Sequence, residues 1–179
     1  MMTPGVRKLA LSAHLTFSIG WIGAVAAYLT LDLTVATSQD AELLRAAWIA
    51  MGVITSRAIV PLALCSLLTG IAMAVGTRWG LFRHWWVLIS LVLTVFATAV
   101  LLSESGYIDR AAAIATDRST PEQTLRGLSG TLPHSVGGMA VLLIVQVLNI
   151  YKPRGLTRYG WRKQQEARWA ALASSSGGQ

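Results

Sequence analysis

Charge is what this sequence has least of. Of its 179 residues only 13% are Asp, Glu, Lys or Arg, about half the share a soluble globular domain carries, while 54% are hydrophobic. A soluble fold of this size has too much surface to cover with so few charges. Disorder needs the opposite composition, low hydrophobicity with high charge. Cysteine is rarer still: the lone Cys65 excludes a disulfide framework and any cysteine-based zinc module. The 8 acids are scattered, and neither a Gly-x-Ser-x-Gly elbow nor a phosphate-binding loop occurs. A hydrolase of those kinds, or ATP use by this chain alone, is therefore not expected. The absence of an internal repeat argues against an inverted-repeat transporter.

What is present is apolar length. Leu9 to Leu31, Ala58 to Val75, Trp85 to Leu102 and Val136 to Tyr151 are all free of charge, the last extended by Thr131 to Ser135. About 20 residues of helix cross a hydrocarbon core, and a helix satisfies its own backbone there. The pattern predicts an all-α polytopic membrane protein, a bundle of four transmembrane helices spanning about 9–31, 55–75, 84–102 and 132–151. These form a transmembrane domain over 1–153, followed by a basic tail over 154–179. Arg7, Lys8 and Ala24-Val25-Ala26 resemble parts of a signal peptide, but the apolar run continues through Leu31, which favours a span. Asp40 is placed to cap a helix starting at Ala41, and Pro61 should kink the second span. The outer loop 103–131 carries Thr120-Pro121-Glu122-Gln123, with Thr120 as N-cap, Pro121 at the first helical position and Gln123 closing a capping box. A short amphipathic helix ending near Gly127 or Gly130 is expected there.

The few charges sort by side. Arg7, Lys8, Arg78, Arg83, Lys152, Arg154, Arg158, Arg162, Lys163 and Arg168 fall on one face with Glu166 as the sole acid. Arg45, Arg110, Arg118 and Arg126 fall on the other, among seven acids, with Arg57 on the boundary. This positive-inside pattern puts both termini in the cytoplasm of a multi-pass protein, expected in a bacterial plasma membrane. It also removes nucleic acid as a partner, since the basic residues flank apolar spans instead of covering a polar face. The tail from Lys152 to Arg168, with Trp161 and Trp169, is expected on the anionic inner leaflet, and Ser174 to Gln179 is expected to be disordered. Trp79, Trp85 and Trp86 read as an inner aromatic belt and Trp48 as an outer anchor; Trp21 lies mid-span.

Polar groups gather at two depths. At about 1.5 Å per residue, His14 sits about 9 Å in from Lys8, His84 lies beside Arg83, and Asn149 and Gln146 lie about 4–5 and 9 Å in from Lys152. Near the opposite boundary fall Asp32, Arg57, Glu104 and His134, the outer polar layer. Arg57 is expected to snorkel or to pair with Asp32 or Glu104, or to bind an anion or substrate at the outer face. His14, Phe17, Ser18, Trp21, Val25, Tyr28 and Asp32 follow spacings of three and four, one stripe that should face the bundle. Gly20, Gly23, Ala24, Ala26 and Ala27 should let neighbouring helices approach. For His14 a hydrogen bond to Gln146 or Asn149, a haem or metal ligand, and a proton relay all remain open. His84 and His134 are compatible with simple interfacial placement, and Cys65 with packing.

His14 followed by Trp21-Ile22-Gly23 resembles the first helix of two small bacterial membrane families, copper-resistance D and the HemJ-type protoporphyrinogen oxidase. The latter resemblance, carried by His14 to Gly23, implies haem b ligated within a four-helix bundle. By depth, His14 and His84 share the inner half and are the cofactor-binding candidates, whereas His134 lies near the opposite surface. A longer resemblance is to uncharacterised bacterial integral membrane proteins of the domain-of-unknown-function 2269 type. It is carried by Pro61-Leu62-Ala63-Leu64, Gly76-Thr77-Arg78-Trp79-Gly80-Leu81-Phe82-Arg83-His84 and Tyr151-Lys152-Pro153-Arg154-Gly155, and implies a topology without an assigned reaction. Three readings stand at this point. One is a haem- or metal-binding redox protein using His14. The second is a non-catalytic scaffold or subunit that assembles with itself or with a membrane partner. The third is a small transporter with an outer vestibule.

Overall fold

The computed structural model describes residues 2–77 and 80–176, which form helices and turns, with one isolated bridge and no strand among them. The inner-face Arg78 and the belt residue Trp79 lie outside the described residues, as do Gly177 to Gln179 of the expected disordered end. Seven α-helices follow in order: α1 (Pro4–Thr37), α2 (Ala41–Ile54), α3 (Val60–Gly76), α4 (Trp85–Thr116), α5 (Glu122–Arg126), α6 (Leu132–Tyr151) and α7 (Arg158–Ser176). The expected disorder does not begin at Ser174, because α7 runs through Ser176. A π-helical segment, Thr55–Ile59, joins α2 to α3 without a break, giving four continuous helices long and apolar enough to cross a membrane. Large apolar side chains such as Leu9, Ile19, Leu68, Val92 and Ile144 stand exposed around the bundle, the surface that hydrocarbon would cover.

Each boundary has a chemical cause. Thr3 caps α1 through its hydroxyl, with Pro4 at the first helical position, and the Asp40 carboxylate accepts from Glu42 N at 2.9 Å and Leu43 N at 3.3 Å, as expected. Pro61 has no N–H, and its ring crowds the carbonyl four residues back. The chain accommodates this with a π turn, in which Val60 N–H reaches Thr55 O. The short helix of the loop begins one residue later than expected, with Pro121 at the N-cap and no capping side chain. Thr120 is not the cap, because its hydroxyl donates to Ile114 O at 3.0 Å.

We call the end of the bundle near Pro4, Gly76 and Trp85 proximal and the other distal. α6, 20 residues or about 30 Å long, matches a hydrocarbon core by itself. Past its start, α2 and the last part of α4 continue and pack together with α5 as a distal cap. The expected loop 103–131 is thus helical through Thr116, because Ile108, Ala111 and Ala115 form a buried stripe against α2. At Gly52 the two helices are so close that a Cβ would lie 2.6 Å from Ala112 Cβ. Trp48 is no interfacial anchor: it is fully buried in this cap, edge-on to Tyr107 at 6.3 Å. Arg45 binds the end of α4, its guanidinium donating to Ala115 O and Asp117 O at 2.6 Å each and to Thr120 O at 3.2 Å.

At the proximal end, α7 does not trail freely. His84 and Leu156 form a bridge, Trp85 N donates to Gly155 O, and Thr157 N donates to Arg83 O at 3.1 Å. The Thr157 hydroxyl accepts from Gly160 N at 3.1 Å, capping α7.

Candidate functional site

The stripe on α1 is the axis of the site. Trp21, Val25, Tyr28 and Asp32 are its buried residues, and His14 and Ser18 continue it towards the proximal end. Of the two mid-span glycines on α1, Gly20 does admit a neighbour, since a Cβ there would lie 3.3 Å from a Leu62 methyl, whereas Gly23 faces open space. Two cavities flank this stripe. The proximal one, about 440 Å³, is lined by His14, Ser18, Ser90, Gln146, Asn149 and Lys152 among apolar side chains. The distal one, about 490 Å³, is lined by Tyr28, Glu104, Thr131, His134 and Ser135, again among apolar neighbours. Trp21 and Leu142 line both, and so form the partition between them.

His14 is held by α3, not by the amides of α6. Its Nδ1 lies 3.2 Å from Ser66 O and 3.1 Å from Thr69 Oγ1. A carbonyl only accepts, and the Thr69 hydroxyl spends its proton on Cys65 O at 2.6 Å. Nδ1 therefore carries the hydrogen, and Nε2 keeps its lone pair, without a partner among the described residues. Gly70 makes room for the ring, since a Cβ there would lie 3.1 Å from His14 Cε1. Ser18 and Ser66 share a hydrogen bond of 2.8 Å beside it. The expected partners Gln146 and Asn149 face the same cavity, but the Asn149 amide donates to Val145 O.

His84 does not join His14. It sits in the bridge to Leu156 with its ring 6.4 Å from that of Trp86, and it is not among the described residues lining the proximal cavity. The bis-histidine pair is therefore not assembled, because the strand-like pairing of 84 with 156 holds that residue in the clasp between the start of α4 and the segment leading into α7.

The outer polar layer separates into three parts. Asp32, fully buried, accepts from Thr131 N at 3.3 Å, Thr131 Oγ1 at 3.0 Å and Ser135 Oγ at 2.7 Å. Tyr28 O–H stands 2.7 Å from Thr131 Oγ1, and because the threonine proton goes to Asp32, the tyrosine is the donor. Glu104 and His134 meet at the mouth of the distal cavity, Oε1 to Nε2 at 3.8 Å. Arg57 pairs with neither acid. The π segment carries an extra residue per turn, which leaves Arg57 exposed on the bundle surface while Thr55 and Ile59 turn inward.

Sequence reasoning placed the stripe and the two depths. It missed Thr131 and Ser135 as the partners of Asp32, and Ser66 and Thr69 as those of His14. A hydroxyl in an apolar helix was the one signal to follow, but several such hydroxyls bond only their own helix, as Thr94 does to Ser90 O. Among the described residues no group of three or more His, Cys, Asp or Glu side chains is arranged to hold a metal ion. No family model, curated protein or solved structure matches the chain.

Proposed function

We propose that the chain is a small membrane carrier whose path runs along the α1 stripe. The observation that carries this reading is the partition: Trp21 and Leu142 are common to a proximal and a distal cavity. Along the helix axes they lie about 20 Å from Lys8 and about 15 Å from Lys152, near the middle of a bilayer. Cavities on both sides of one thin barrier are what alternating exposure of a bound solute needs. The basic proximal flank orients that end towards the cytoplasm of a plasma membrane, with both termini inside.

Ser90 and Thr55 supply the test, because each lines one cavity with a buried, unpartnered hydroxyl. In a Cys65→Ser background in oriented vesicles, Ser90→Cys should react with a membrane-impermeant thiol reagent added at the proximal side. Thr55→Cys should react from the distal side, and adding Trp21→Ala should let each be reached from the opposite side as well. Protection of both cysteines from both sides would leave the polar layers as ties between helices, the scaffold reading.

A second reading is favoured by the tautomer of His14. An imidazole whose Nδ1–H is fixed by a backbone carbonyl presents Nε2 as a ligand. One such nitrogen in a mostly apolar cavity, with Lys152 also in its lining, fits haem b held by a single histidine and does not fit a bare metal ion. Haem would supply one-electron chemistry; the chain itself would hold and orient it through His14, Ser66 and Thr69. A Soret band in the purified protein that disappears in His14→Ala would support this reading, and its absence after expression with haem supply would remove it.

A further inference from the structure

We propose that the distal cavity is a binding site for a lipophilic organic cation, specifically a protonated amine with an aromatic or alkyl body. The inference depends on the carrier reading for passage across the partition, while binding at the site is independent of it.

Four hydroxyl protons in this cavity are already taken by acceptors inside the protein. Thr131 and Ser135 donate to Asp32, Tyr28 donates to Thr131, and Ser103 donates to Val100 O at 2.7 Å. All four side chains line the cavity, and all four have committed their protons within the protein. What they can still offer a ligand is lone pairs. Glu104 adds a carboxylate, one-third exposed at the mouth, and Asp32 adds a second acid directly behind the Thr131 and Ser135 hydroxyls. No Lys or Arg is among the described lining residues, and His134, 3.8 Å from Glu104, is the one basic side chain among them. The uncommitted hydroxyl and indole donors among the described lining residues are Thr55 Oγ1 and Trp21 Nε1, both shielded from solvent.

An anion would meet mostly acceptors and acids, with His134 alone to offset them and already beside Glu104, and an uncharged donor would leave Glu104 without a cationic partner when it displaced water. A cationic donor satisfies both. The rest of the wall suits the same ligand: Trp21, Tyr28 and Phe96 present aromatic surface, which attracts ammonium groups, and Val25, Ile59, Val100 and Val141 accept an apolar body. A volume of about 490 Å³ is in the range of small-molecule sites.

The experiment uses three probes of one skeleton, 4-phenylbutylamine, 4-phenylbutanol and 4-phenylbutyrate, with the full chain in nanodiscs of zwitterionic lipid and empty nanodiscs as blank. At neutral pH the amine carries its proton and the acid has lost its own. Saturable binding of the amine, about tenfold tighter than that of the alcohol and with none detected for the acid, is the expected result. Glu104→Gln should weaken the amine about tenfold, Glu104→Asp should keep most of the affinity, and Phe96→Leu, at an exposed position where folding is not at stake, should weaken it severalfold. His134→Gln removes the internal competitor and should leave amine binding equal or tighter. Equal binding of amine and acid, or amine binding untouched by both Glu104→Gln and Phe96→Leu, would overturn the assignment. Amine-selective binding in a protein whose Ser90→Cys and Thr55→Cys are protected from both sides would retain the site and remove the carrier. Two-sided accessibility without amine selectivity would do the reverse.

Discussion

The hydroxyl of Ser135, in the first turn of α6, donates to the buried carboxyl of Asp32 at 2.7 Å across 103 residues of chain. With Thr131 it closes a polar knot that fixes the start of α6 against α1. That knot also explains why Thr131, at the N-cap of α6, does not cap the helix with its side chain. One acid thereby sets the position of a helix and the hydrogen-bond polarity of the cavity beside it.

Removing that acid should be costly. Asp32→Leu would take the acceptor from the Thr131 amide and hydroxyl and leave Ser135 with Leu132 O alone, and is expected to destabilise the folded protein by about 2–4 kcal/mol. Asp32→Asn keeps one acceptor oxygen and should lose less. The thermal midpoint of the detergent-solubilised protein, followed by circular dichroism, checks both; an Asp32→Leu variant as stable as the parent would show the knot to be dispensable.

His14 should behave in the opposite way. Its partners are already served, since Thr69 donates to Cys65 O and to Ser66 O, so deleting the ring orphans no buried donor. His14→Ala is expected to cost only about 1 kcal/mol in the same assay. A loss of several kcal/mol would assign His14 to structure and weaken any ligand role.

Gly52 tests the distal cap. A methyl group there meets Ala112 Cβ, and Gly52→Ala should force α2 from α4 at a cost of about 1–3 kcal/mol. Ala112→Gly should restore much of that stability in the double variant, with a coupling of about 1 kcal/mol or more. Additive losses would mean that the two helices do not approach as closely as their backbones indicate.

Thr157 tests the proximal clasp. Its amide and hydroxyl join α7 to the loop ahead of α4 through Arg83 O and Phe82 O. Thr157→Ala should leave the four long helices intact but raise the rate of proteolysis within 158–170 severalfold, read by mass spectrometry of timed digests. Cleavage at the parent rate would count against the clasp.

The sequence by itself determined the helices, because hydropathy and helical period are local: an uncharged run of membrane length has no other way to satisfy its backbone. The stripe from His14 to Asp32 was equally legible, as its spacing of three and four is a property of one helix. Even the loop helix near Glu122 announced itself through Pro121, although its cap did not. Only the tertiary structure decided the partners. Asp32 finds Thr131 and Ser135 at separations of 99 and 103 residues, and His14 finds Ser66 at 52, and no local pattern encodes which hydroxyl on which helix will arrive. It also decided the fate of Arg57, whose expected ion pair depended on a regular helix that Pro61 converts to a π turn. The division of the interior into two cavities by Trp21 belongs to the packing alone, since it depends on where α3, α4 and α6 leave space beside α1. Composition specified the solvent and periodicity the faces, but the chemistry of the site comes from contacts between distant segments.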